Sequence, residues 1–184
     1  MSSRTKKKTT LAQLRADHER RLQCLLEGEQ LADDVKAAHN RLTSLRDVTA
    51  DHYDELNSLL IQANRACELL IPNHPGIITK TGILHTKANI YTGLGQHTLA
   101  TAALRQTDEL FAPVAARGEL VPANQEYWRE LTCREGSLYG AAHQLESAKR
   151  CFMRLLAWPG LSPKERMSAL HGMALYHKER KEWR

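Results

Sequence analysis

Leu31, Val35, Ala38, Leu42 and Leu45 step along the chain by four, three, four and three residues, which lines one face of a helix. Leu56, Leu59, Leu60 and Ala63 carry an apolar face further on. No stretch alternates apolar and polar residues for long, so the pattern predicts no strands. Residues 11–71 read as helical almost throughout. Gly28 and the region Asp47–Asp51 interrupt them. The pattern therefore predicts helices near 10–27, 30–46 and 49–71, with one long bent helix over 30–71 as the alternative. A heptad seam this short is expected on an intramolecular helix pair more than in a coiled-coil dimer.

Pro72-Asn73-His74-Pro75-Gly76 closes this region, because proline lacks the N–H that a helix interior needs. A helix is expected over 76–93, with Ile77, Ile78, Leu84, Ala88 and Tyr91 facing inward. Gly93-Leu94-Gly95 is a turn, and a partner helix runs from about 97 to 117, stopped by Gly118. Pro122 suits the first turn of a helix reaching to about 141. A shorter helix follows near 145–157, with Ala148, Phe152 and Leu155 on one face. Ser162-Pro163-Lys164-Glu165 carries a complete start signal, with a capping serine, a proline at the first position and a glutamate able to reach back. The last helix presents Met167, Leu170, Met173 and Tyr176.

Two of these stretches echo each other. Ala88, Tyr91, Ala100 and Leu104 recur as Gly136, Tyr139, Ala148 and Phe152 in the same order and spacing. Ala63 and Cys67 match the second half of an earlier unit, and Tyr176 matches the first half of a later one. The pattern resembles the tetratricopeptide repeat, a helix–turn–helix unit of about 34 residues. The likeness covers roughly 49–184, with a longer insertion between 105 and 128 expected to lengthen two adjacent helices. The tryptophan that opens many such repeats is absent from its expected place.

The resemblance implies an all-α fold, with antiparallel helical hairpins stacked as a short right-handed superhelix. It divides the chain into a basic tail over 1–10, N-terminal helices over 11–48 for capping or self-association, and a repeat region over 49–184. It further implies a non-catalytic scaffold, adaptor or chaperone. Such a protein holds a partner peptide or helix on a concave face lined by the first helix of each unit. In this register the face carries His85, Asn89 and Thr92, then Arg134 and Ser137, then His171 and Lys178. Asn89 and Arg134 match parts of the clamp with which some family members hold a terminal carboxylate. His85 and Met167 stand where that clamp has lysines. An acidic or C-terminal peptide is the expected ligand, and the chain could serve as one subunit of a larger complex.

Charge adds one alternative. The 184 residues carry a formal +5, and Arg4, Lys6, Lys7 and Lys8 supply much of it with no acid among them. The rest is close to neutral. These four residues define the alternative reading, a regulatory protein that touches DNA or RNA through its N-terminus. No apolar run approaches the ~20 residues of a membrane span, and the basic stretch is not followed by a secretory apolar core. The cytoplasm is the expected location, with the nucleus as the alternative. Cys24, Cys67, Cys133 and Cys151 lie far apart, which gives neither zinc nor redox spacing. Nine histidines show no His-Glu-x-x-His. No phosphate loop occurs either, so no catalytic residue, metal or cofactor is expected.

Overall fold

The computed structural model describes residues 11–44 and 50–180, and every regular element within them is an α-helix. α1 (Leu11–Ser44) packs along α2 (Ala50–Asn73), α3 (Ile77–Gly93) along α4 (His97–Ala116), and α5 (Pro122–Ala141) along α6 (Leu145–Leu156). α7 (Pro163–Glu179) lies against α6 and α5. The odd-numbered helices also touch in order, α1 to α3, α3 to α5 and α5 to α7. The basic stretch 1–10 and Leu45, the end of the heptad seam, fall outside the described residues.

The break expected at Gly28 does not occur, and α1 is one helix of 34 residues. Gly28 serves packing instead. A Cβ there would lie 2.9 Å from Leu70 Cγ and 3.0 Å from Leu69 Cβ, so its absence lets α2 come close. The seam is intramolecular. Val35 is fully buried among Leu59, Ala63, Ala66 and Leu70, with Leu31, Ala38 and Leu42 around them.

The positions of the internal echo are buried alike. Ala63, Ala100 and Ala148 are buried, as are Tyr91, Tyr139 and Tyr176. Both helical turns repeat the same bonds. The N–H groups of Leu94, Gly95 and Gln96 donate to the carbonyls of Ile90, Thr92 and Tyr91. Those of Ala142, His143 and Gln144 donate to Leu138, Gly140 and Tyr139. The left-handed position is Gly95 in the first turn (φ +70°) and His143 in the second (φ +56°).

The insertion extends α4 and the start of α5, each of 20 residues. It builds an aromatic core of its own. Phe111 stacks on Trp128 at 5.4 Å, and Trp158 meets Trp128 edge-on at 4.9 Å. Pro122 opens α5, and Ser162 and Glu165 form the expected reciprocal cap of α7.

One inward assignment differs. Ile78 is exposed, at the N-terminal end of α3. In α7 the buried positions are Ala169, Gly172 and Tyr176, while Met167 and Leu170 face outward. The reason is Phe152 of α6, whose ring presses on the backbone of α7 and selects its small-residue face.

Candidate functional site

Phe152 is the floor of a groove between α5 and α7. Gly136 and Gly172 flank the ring from the two helices. A Cβ on Gly136 would fall 2.7 Å from it, and one on Gly172 2.3 Å. Two glycines thus let a full aromatic ring enter between helices that a Cβ would hold apart. Above it opens a cavity of about 500 Å³, walled by Ser137 and Gly140 of α5 and by His171, Leu175 and Glu179 of α7. Tyr176 closes the floor toward α6, where its hydroxyl donates to Glu146 Oε1 at 2.8 Å. Arg180 also bonds Glu146. These two bonds tie the end of α7 to the start of α6.

The expected contact residues fall into two groups and two outliers. Ser137 and His171 face one another across this groove. His85, Asn89 and Arg134 form a second group on α3 and α5. Asn89 Nδ2 lies 3.5 Å from His85 Nδ1, one turn away on the same helix, while the other ring nitrogen of His85 is Nε2. That Nε2 is buried with no hydrogen-bond partner. Burial, then the charge of Arg134 and then His39 of α1, push His85 down to about 4. Burial also lowers His39. His85 is therefore neutral near pH 7 and cannot replace the ammonium of a carboxylate clamp. Arg134 is exposed and pairs with Glu130 one turn earlier. Thr92, whose hydroxyl donates to the carbonyl of Ala88, belongs to neither group, and neither does the exposed Lys178. Arg4, Lys6, Lys7 and Lys8 lie outside the described residues.

Nucleophiles in the groove and elsewhere are poorly set. The Ser137 hydroxyl donates to the Cys133 carbonyl at 3.2 Å, a bond of its own helix. Burial raises Cys133 and drives Cys67 to about 11 and Cys151 to about 12, so these thiols stay protonated. Among the described residues no three His, Cys, Asp or Glu side chains converge as a metal-binding group.

A buried ionic cluster was not visible in the sequence. Glu135 of α5 has no exposed surface, and Arg154 of α6 reaches it at 3.3 Å. Arg154 also bonds Asp108 of α4 at 3.0 Å, and its guanidinium lies over the Trp128 ring at 5.5 Å. Burial and the neighbouring Asp108 carboxylate raise Glu135 to about 9, against the opposing pull of Arg154. Its acid form therefore sits in the joint between hairpins at neutral pH. The available signal was position, since Glu135 falls on the stripe of Trp128, Leu131, Thr132 and Tyr139, where an acid is out of place.

The chain matches no family model, no curated protein and no solved structure. Among the described residues no helix is long and apolar enough to cross a membrane.

Proposed function

We propose that this chain is a non-catalytic adaptor that holds a peptide or helix of a protein partner in the groove between α5 and α7. The observation that carries the reading is the apolar cavity over Phe152, with Ser137, His171 and Glu179 on its walls. A cavity of that size takes a few side chains, and the polar walls supply hydrogen bonds for the segment that brings them. The protonated thiols and the internally bonded serine favour binding over turnover. The ordered contacts of α1, α3, α5 and α7 support a tetratricopeptide-like array, a right-handed superhelix whose odd-numbered helices line the binding face. Four free cysteines suit a reducing compartment, the cytoplasm or nucleus.

Gly140 provides the test. It lines the groove, and a Cβ there would meet nothing within 4 Å. Gly140→Leu fills the groove without touching the core, and leucine is the better helix former by roughly 0.8 kcal/mol. Affinity purification with mass spectrometry, with and without nuclease, compares this variant with wild type. The expected result is a nuclease-resistant protein partner, reduced at least tenfold in the variant. Partners retained by the variant would overturn the groove reading. Partners removed by nuclease instead would move attention to Arg4, Lys6, Lys7 and Lys8.

A further inference from the structure

α1 outruns its partner helix. It has 34 residues against 24 in α2. Gly28 lies on Leu69 and Leu70, and Glu29 pairs with His74, the residue just past α2. N-terminal to that junction, Leu11 through Gln23 are all exposed. The apolar stripe nevertheless continues. Leu11, Leu14 and Leu22 are 66%, 55% and 47% exposed, and Leu25, half-buried, joins them to the seam that α2 covers. With His18 they are spaced three, four, four and three residues apart. At 100° per residue, all five fall within an arc of about 80°.

That spacing reads the same in both directions from His18. We infer that the overhanging part of α1 pairs with the same segment of a second copy of this chain, antiparallel, about a two-fold axis through His18. In this register Leu11 meets Leu25 of the second copy, Leu14 meets Leu22, and the two His18 side chains face each other. The flanking charges obey the same symmetry. Arg15 and Glu19 border the stripe on one side, Asp17 and Arg21 on the other. The two-fold sets Arg15 beside Glu19 of the second copy, and Arg21 beside Asp17. Each pair occurs twice. A parallel pair would drive the second α1 along the stripe into the seat of α2. The antiparallel one ends where α2 begins and places the two bodies at opposite ends. About fifteen paired residues lie at the small end of stable interfaces, so the dissociation constant is expected at about 1–100 µM.

Sedimentation equilibrium on the full chain tests this, since the substituted residues lie outside the packed body. Wild type is expected to dimerise. Leu14→Arg with Leu22→Arg is expected to raise the dissociation constant more than tenfold, with an unchanged helical circular dichroism spectrum. In a Cys24→Ser background, His18→Cys should give a disulfide-linked dimer under mild oxidation. Leu11→Cys should not, because antiparallel pairing holds those two positions about 20 Å apart. Three results would overturn the proposal: a wild-type chain monomeric up to about 500 µM, a dimer indifferent to the double arginine variant, or cross-linking at 11 in place of 18.

Discussion

His143 occupies a backbone conformation that costs a side-chain-bearing residue energy. The equivalent turn after α3 places Gly95 there, with the same hydrogen bonds around it. The left-handed region costs an L-residue roughly 1–2 kcal/mol relative to glycine, partly returned because glycine is more flexible when unfolded. His143→Gly is therefore expected to stabilise the chain by about 0.5–1 kcal/mol, read as a higher urea midpoint with an unchanged slope. The side chain is exposed, so no packing contact opposes the gain. That histidine stands where a simpler turn would place glycine, at the mouth of the groove that it helps to line.

The helix pair α5–α7 is spaced by what it lacks. Gly172→Ala adds a methyl 2.3 Å from the Phe152 ring, and the ring has Gly136 behind it. Overpacking typically costs 1–3 kcal/mol and exceeds the roughly 1 kcal/mol that alanine returns in helix propensity. The expected net loss is up to about 2 kcal/mol by urea denaturation. Phe152→Leu should partly rescue it, giving a favourable coupling of at least about 0.5 kcal/mol in a double-mutant cycle. At this scale the sequence was readable where periodicity, prolines and caps govern. The start of α3, the α3–α4 turn, the end of α4 and the starts of α5 and α7 follow from Gly76, Gly95, Gly118, Pro122 and Ser162. It misled where a glycine does packing work. Gly28 reads as a helix break because glycine is locally unfavourable in helices, and only the position of Leu70 reveals its purpose. The same holds for α7, whose apolar residues Met167 and Leu170 suggest one face while Phe152 selects another. Of the expected contact residues, Ser137 and His171 could be placed by helical register on the faces of their own helices, while their meeting in one groove depends on how α5 and α7 pack. Glu135 and Arg154 were not, since their pairing depends on the relative placement of α5 and α6.

Across the whole molecule, Asp108, Glu135 and Arg154 join α4, α5 and α6, and they make stability depend on pH. Glu135 binds its proton more tightly folded, at about 9, than an unfolded carboxyl near 4.5. Its contribution is present at low pH and is lost as pH rises toward 9. His85 acts oppositely. Held at about 4 against an ordinary 6.5, it loses stability as pH falls from 6.5 to 4. The two effects offset between about pH 4.5 and 6.5, which leaves a plateau there and a decline above it. Unfolding free energies from urea titrations at pH 6 and pH 9 should differ by an amount on the order of a few kcal/mol in wild type. Glu135→Gln should remove most of that difference, and an equal decline in the variant would refute the assignment. Among the described residues each helix touches only the next or the next but one, so no late strand of chain locks an early one in place. Pulled from its two ends, such a molecule has no single bolt to shear. It should lengthen in instalments, one hairpin after another, and regain its shape the same way when the tension is released.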